Sequence, residues 1–306
     1  MGALDHTTGA VTNPFQAFIE RRGAAVLDGG FATELESRGL SLDHALWSAR
    51  ALVEAPEVAA AVHRDYLEAG ADVIETATYQ ATAPGLLAAG VRLACRERDA
   101  FGEREPGGDR PRPLVAASIG SFGASLANGA EYRGDYGLDA ATLAAWHRPR
   151  LRVLESAGAD VLAFETIPSL VEAEALARLL AESDGPPAWV SFQARDAERV
   201  ADGSPIEEAV AAVARSPRVL AVGVNCVVPE LVTPLLARCA AATSKLLVAY
   251  PNRGDAWDPA TRRWIERGRD IDFHRLVPEW LASGARLIGG CCRTTPADIR
   301  VIAAAL

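Results

Sequence analysis

Three of the five cysteines in this chain of 306 residues stand directly after short apolar runs: Cys226 after residues 219–225, and the adjacent Cys291 and Cys292 after residues 286–290. Runs of that length, bounded by glycine, proline and polar residues, read as β-strands. With the two runs placed two strands apart on one barrel rim, the three sulfurs converge. Three thiolate ligands that leave a fourth position open are the pattern of a catalytic rather than a structural zinc site. Neighbouring side chains on a regular strand point to opposite faces. Cys291 and Cys292 can therefore share a ligand only where the strand has broken, and Gly289-Gly290 before them relaxes the backbone limits on that break. Cys95 and Cys239, each alone in a helical stretch, read instead as small core hydrophobes. An odd cysteine count, with no basic and apolar leader in residues 1–16, points to reduced thiols rather than a disulfide framework.

Carboxylates gather at the same kind of position. Glu165 ends the apolar stretch Val161-Leu162-Ala163-Phe164, where a merely solvated glutamate is unexpected because buried Glu is rarely left unpaired. Asp28 precedes Gly29-Gly30 and reads equally well as a site residue or as the cap of a following helix. Thr76, Asn225 and Asn252 also follow or end apolar runs. Polar groups at such positions are costly unless paired or used. None of His6, His44, His63, His147 and His274 ends a run, which counts against a histidine-ligated metallohydrolase. Ser118 and Ser121 show no base partner in the sequence, which counts against a serine hydrolase.

The elements that must position these groups follow from the apolar periodicity. Eight runs are read as strands, over 24–29, 72–78, 114–119, 160–166, 188–193, 219–225, 245–250 and 286–290. Amphipathic helices are expected over 56–69, 140–157, 170–182, 205–215, 229–242 and 271–283. Three strands are entered through one phrase, Ala69-Gly70-Ala71-Asp72, Ala157-Gly158-Ala159-Asp160 and Ser283-Gly284-Ala285-Arg286, in which glycine suits a left-handed helix C-cap. Eight alternating strands and helices, with no glycine-rich phosphate turn after any of them, predict an α/β fold of the (β/α)8 TIM-barrel type in a single domain, not a doubly wound sheet. Such barrels build their sites at the C-terminal ends of the strands, where the thiols and carboxylates fall. Residues 102–113 read as a solvated loop on the far side. A formal net charge of −9 argues against nucleic-acid or anionic-membrane partners. No run of 18 apolar residues suggests a membrane span, and the chain reads as cytoplasmic.

Seven blocks together resemble the homocysteine S-methyltransferase family over essentially the whole chain. They are Val26-Leu27-Asp28-Gly29-Gly30, the stretch from Glu75-Thr76 to Ala81-Thr82, His147-Arg148-Pro149-Arg150, Phe164-Glu165-Thr166-Ile167-Pro168, Gly223-Val224-Asn225-Cys226, Tyr250-Pro251-Asn252, and Gly289-Gly290-Cys291-Cys292-Arg293-Thr294-Thr295-Pro296. The resemblance implies one homocysteine-binding barrel domain over residues 1–306. It implies one Zn²⁺ per chain on Cys226, Cys291 and Cys292, activating the substrate thiol. It further implies that Asp28 and Glu165 hold the homocysteine ammonium, with Gly29 and Thr76 near its carboxylate. The betaine-using branch carries tyrosine after the glutamate, whereas this chain has Thr166. That departure favours a sulfonium donor, S-methylmethionine before S-adenosylmethionine, as does the lack in the sequence of an obvious aromatic cage for a quaternary ammonium. The alternative of a different class is a non-catalytic zinc- or redox-responsive barrel.

Overall fold

The computed structural model describes residues 12–40, 47–104, 109–258, 263–265 and 271–306. His6 and His44 lie outside the described residues. The strands are β1 (Ala25–Val26), β2 (Val73–Glu75), β3 (Leu114–Gly120), β4 (Val161–Ile167), β5 (Ala188–Phe192), β6 (Val219–Asn225), β7 (Leu246–Tyr250), β8 (Ala256–Asp258), β9 (Arg263–Ile265) and β10 (Ala285–Ile288). Eight of them form one sheet in the order β1-β10-β7-β6-β5-β4-β3-β2, every pair parallel. A bridge from Leu27 to Val73 joins the two ends of that order, so the sheet closes into the expected (β/α)8 barrel. All eight expected strands are present. The antiparallel pair β8–β9, inserted after β7, was not expected.

Alternation along each strand divides the core in two. Ala25, Leu27, Val73, Leu114, Ala116, Val161, Ala163, Trp189, Ala221, Val248 and Leu287 fill the barrel interior. Their neighbours, among them Val115, Leu162, Phe164, Val190 and Val222, pack outward against the helices. Burial on both faces is why these strands read as continuous apolar runs rather than as alternating ones. Phe15 and Phe18, from the turn and helix leading into β1, close the N-terminal mouth, with Phe15 6.3 Å from the Trp189 ring.

The repeated Gly-Ala phrase performs its expected turn, with Gly70, Gly158 and Gly284 at φ 106°, 96° and 97°. In two of the three copies the next residue also locks a strand. Asp72 accepts the Val26 N–H at 2.9 Å and pairs with Arg22, while Asp160 accepts the Val115 N–H at 2.8 Å and pairs with Arg98 at 2.6 Å. Each thereby ties the N-terminal end of one strand to the strand beside it. The expected loop over 102–113 begins later than read, because the Pro84–Arg104 helix continues through residues 102–104.

Candidate active site

Parity decides what stands above the apolar interior. Val73, Ala116 and Val161 with Ala163 face inward, so Glu75, Ser118 and Glu165, each two residues further along its strand, form the next inward layer. Tyr250, two residues after Val248, joins them. The interior thus changes from alanine, valine and leucine to carboxyl and hydroxyl groups at the C-terminal rim.

The thiols occupy that rim. Cys226 takes over from β6 in a left-handed conformation, φ 53°, and its N–H donates to the Tyr250 carbonyl at 3.0 Å. Cys291 donates its N–H to the Pro251 carbonyl at 2.8 Å. Both are therefore anchored to the end of β7, the strand lying between β6 and β10. Cys292 follows in a turn completed by Arg293 at φ 69°, and the Thr294 hydroxyl donates to the Cys291 carbonyl at 2.6 Å. Beyond the end of β10 the alternation no longer separates neighbours, and the three Sγ atoms lie within 4.8 Å of one another. They form the one group of three or more His, Cys, Asp and Glu side chains among the described residues that could hold a metal ion. Hydrogen bonds from the Cys291 and Cys292 thiols hold Cys226 well below the usual thiol range, and the same bonds raise those two donors. Cys95 and Cys239 lie outside this cluster; Cys239 is fully buried in the core between barrel and helices as expected, whereas Cys95 is only half-buried at its edge.

Asn225, the residue before Cys226, braces the site. Its side chain accepts the Thr166 N–H at 2.7 Å and the Ser191 hydroxyl at 2.9 Å, donates to the Thr166 hydroxyl at 2.8 Å, and reaches Cys291 Sγ at 4.0 Å. Thr166 stands at φ 56°, a region that a β-branched residue enters at a cost of about 1–3 kcal/mol. The two Asn225 bonds offset that strain where β4 turns away after Glu165.

Asp28 and Glu165 are buried, and the half-buried Glu75 stands between them. Asp28 accepts the Glu75 N–H at 2.9 Å, and the Ser118 hydroxyl donates to Glu165. Asp28 does not cap the Phe31–Ser37 helix, whose N-cap is Gly30. Burial first, then the charge of Glu165, pushes the Glu75 carboxyl well above its usual range, and it hydrogen-bonds to Glu165. Burial likewise pushes Glu165 up to about 7, against the lowering effect of its bonds from Ser118 and Glu75. Asp28 is raised by burial and by Glu165, partly offset by the Glu75 N–H. Both glutamates therefore hold a proton more tightly than a free carboxyl does. No arginine or lysine lines the cavity that the three share. Glu75 has no role that its sequence neighbours reveal; its signal is its place two residues after the inward Val73.

Gly29 and Gly30 lie under the Cys291–Thr294 turn. A Cβ on Gly30 would meet the Cys291 carbonyl at 2.9 Å, and one on Gly29 the Thr294 hydroxyl at 2.8 Å. Thr76 lines the same cavity, but its hydroxyl is engaged: it accepts the Ser118 N–H at 3.0 Å and lies 2.6 Å from the Thr78 hydroxyl, whose own proton goes to the Ser118 carbonyl. Phe31, Tyr79, Tyr132 and Tyr250 also line the cavity, whose volume is about 110 Å³. The sequence showed no aromatic cage because these rings come from four separate segments. Tyr132 brings its hydroxyl to 3.7 Å from Cys226 Sγ. Its neighbour Glu131 is 3% exposed, leaves Oε2 without a partner, and is pushed by burial to about 7.

The remaining groups resolve as support. Arg150, from the His147–Arg150 block, is buried and donates to the carbonyls of Ala81 (3.0 Å), Gly120 (3.0 Å) and Tyr79 (3.1 Å), fastening the segments after β2 and β3. His147 bonds Glu172 at 2.8 Å. His63 is packed 5.0 Å from the Phe31 ring, and burial lowers it to about 3. Ser118, which had no visible partner in the sequence, finds a carboxylate and no histidine, so the hydrolase reading gains nothing. Ser121 caps a short helix, accepting the Ala124 N–H.

Thiols beside an acidic, cation-free cavity suit a barrel enzyme in which sulfur is the nucleophile and the substrate brings positive charge. The comparisons give that class its family. The homocysteine S-methyltransferase family model matches residues 25–306. A homocysteine S-methyltransferase of Escherichia coli (strain K12) is 44% identical over 95% of this chain and 98% of its own length. Homocysteine S-methyltransferase 4 of Zea mays is 46% identical over 94% and 90%. The crystal structure of the metallated form of the homocysteine methyltransferase MmuM from Escherichia coli superposes with a TM-score of 0.85 at 43% identity, covering 95% of this chain and 99% of that one. The chain belongs to the homocysteine S-methyltransferase family, and methyl transfer to homocysteine is its reaction class.

Proposed function

We propose that the barrel, as one homocysteine-binding domain over residues 1–306, transfers a methyl group from a sulfonium donor to the sulfur of L-homocysteine, giving methionine, with S-methylmethionine preferred to S-adenosylmethionine. The observation that carries the reading is the convergence of Cys226, Cys291 and Cys292 on a cavity shared with Asp28 and Glu165. The donor set fits one Zn²⁺ per chain: three sulfurs within 4.8 Å, buried or half-buried. When bound, the ion supplies the Lewis acidity that keeps an alkyl thiol ionised at neutral pH.

The chain's own groups do the rest. Asp28 and Glu165 receive the homocysteine ammonium, which supplies the charge their burial lacks. Gly29 and Thr76 border its carboxylate, where the Thr76 hydroxyl would exchange its Thr78 bond for a substrate oxygen. Asn225 and Arg150 keep the strand ends in register, so that alignment of sulfur, methyl carbon and leaving sulfur supplies much of the rate. The product leaving the donor is a neutral thioether, which needs no general acid, in keeping with a cavity lined by no histidine. An acidic cavity with aromatic walls attracts a cation carrying methyl groups. Because those walls would also suit betaine, the preference for a sulfonium rests on Thr166. A zinc or redox sensor has no use for the carboxyl cluster. Three reduced thiols suit the cytoplasm, and no helix among the described residues is long and apolar enough to cross a membrane.

The test is competition among methyl-labelled S-methylmethionine, S-adenosylmethionine and betaine, with zinc-loaded protein and homocysteine. S-methylmethionine is expected to react fastest. Faster transfer from betaine would overturn the donor class, and faster transfer from S-adenosylmethionine only the choice between sulfoniums.

A further inference from the structure

The reaction proposed above joins two amino acids, and each brings an ammonium into the same cavity. Asp28 and Glu165, with Glu75 between them, answer one. A second ammonium entering a buried, acidic cavity needs its own acceptor, because an unpaired charge is strongly disfavoured there. Glu131 is the remaining carboxyl group in the cavity wall.

Its setting is that of a built acceptor. The side chain is 3% exposed, and Oε2 is buried with no hydrogen-bond partner. No cation pairs with it among the described residues. Arg133, two positions on, is directed to Asp135 at 3.4 Å and to the Gly129 carbonyl at 3.1 Å. The backbone holding Glu131 is fixed from three sides. Gly129 turns the chain at φ 74°, Gly123 lies so close that a Cβ there would clash with the Glu131 N–H, and Gly134, at φ 72°, packs where a Cβ would meet the Pro168 carbonyl at 2.8 Å. A buried carboxylate oxygen with nothing to accept costs the fold stability. The next residue, Tyr132, touches the thiol cluster, which puts Glu131 on the part of the wall beside the reacting sulfur.

We infer that Glu131 receives the α-ammonium of the methyl donor and so makes the enzyme selective for amino-acid sulfoniums over sulfoniums that lack the amino group. The inference rests on the sulfonium reading of the preceding section. Glu131 binds and orients; the methyl carbon leaves the donor sulfur, which keeps the bonding pair as a thioether, and joins the homocysteine sulfur, with no proton passing through Glu131.

The experiment is a cycle of two enzymes and two donors. Wild type and Glu131→Gln, both zinc-loaded, are assayed with S-methylmethionine and with 4-dimethylsulfoniobutanoate, the same sulfonium without its amino group, and S-methylmethionine binding is titrated calorimetrically in parallel. Wild type is expected to favour S-methylmethionine by about tenfold to a hundredfold in kcat/KM, the usual effect of a charged hydrogen bond. Glu131→Gln is expected to lose most of that preference and to bind S-methylmethionine correspondingly more weakly, with the homocysteine KM unchanged. An equal loss with both donors, a rise confined to the homocysteine KM, or an undiminished preference in Glu131→Gln would overturn the assignment. Failure of wild type to form methionine from either sulfonium would overturn the functional reading itself.

Discussion

The two ends of the barrel handle the same chemical group in opposite ways. At the N-terminal end, Asp72 and Asp160 each accept a main-chain N–H from a neighbouring strand and each pair with arginine, Asp72 with Arg22 and Asp160 with Arg98. At the C-terminal end, Asp28 also accepts a neighbouring strand's N–H, from Glu75, yet no arginine follows, and Glu75, Glu165 and Glu131 crowd the same cavity without a cation. Asp72, Asp28, Glu165 and Glu131 are buried, and Asp160 and Glu75 half-buried. The first set is neutralised by arginines of the folded chain, although Asp72 Oδ1 accepts no hydrogen bond among the described residues; the second is neutralised only by a positively charged guest. A carboxylate cluster left short of cations is a store of binding energy for such a guest, at some expense of stability before it arrives.

The difference between the two ends is expected to be largest at the thiols. Cys226→Ser, Cys291→Ser and Cys292→Ser are each expected to lose the metal and about a thousandfold or more in activity, whereas Cys95→Ser and Cys239→Ser keep both. Metal analysis beside the assay decides this, and wild-type zinc content in any of the first three removes that residue from the ligand set. The N-terminal end should answer in stability alone. Asp72→Ala leaves Arg22 without its partner and is expected to cost about 3–5 kcal/mol in denaturant unfolding, with the homocysteine KM unmoved. A shifted KM there would mean that the two ends are coupled.

The C-terminal end should answer the other way round. Glu165→Gln is expected to raise the homocysteine KM about tenfold to a hundredfold, equivalent to about 1.5–3 kcal/mol, while zinc content stays and the melting temperature holds or rises. An unchanged KM would remove Glu165 from the ammonium site. The smallest effect concerns pH. Glu131 is held near 7 in the fold, above its ordinary value of 4.5, so the native state keeps a proton that the unfolded chain gives up. Substrate-free stability from this group is therefore full below about 4.5, falls as pH rises toward 7 and is level above it. Glu131→Gln should flatten that part of the profile and be more stable than wild type at pH 8. Parallel melting curves from pH 4.5 to 8 test it, and identical slopes would show that the carboxyl is not strained.

Local spacing was enough to read the barrel and most of its rim. Eight apolar runs, the three Gly-Ala turns and the Gly-Gly before Cys291 are signals carried by neighbouring residues, and each sets a backbone conformation without help from afar. That Cys291 and Cys292 must lie past a strand's end follows from strand alternation alone. Strand lengths were less legible: β1 keeps two residues of the six read, because only those pair in register with β10.

What the sequence by itself determined, then, was the periodicity that makes strands and helices and the residue types delivered to their ends. The tertiary structure decided which of those residues meet. The bond from Ser118 to Glu165 and that from Glu75 to Asp28 each join residues 47 positions apart, across strands whose relative register no local signal carries. The raised carboxyls of Glu75 and Glu165, the four rings around the cavity and the unpartnered oxygen of Glu131 arise from the same cause. Burial and charge pairing depend on every strand that packs around a group, and only the closed barrel specifies them all.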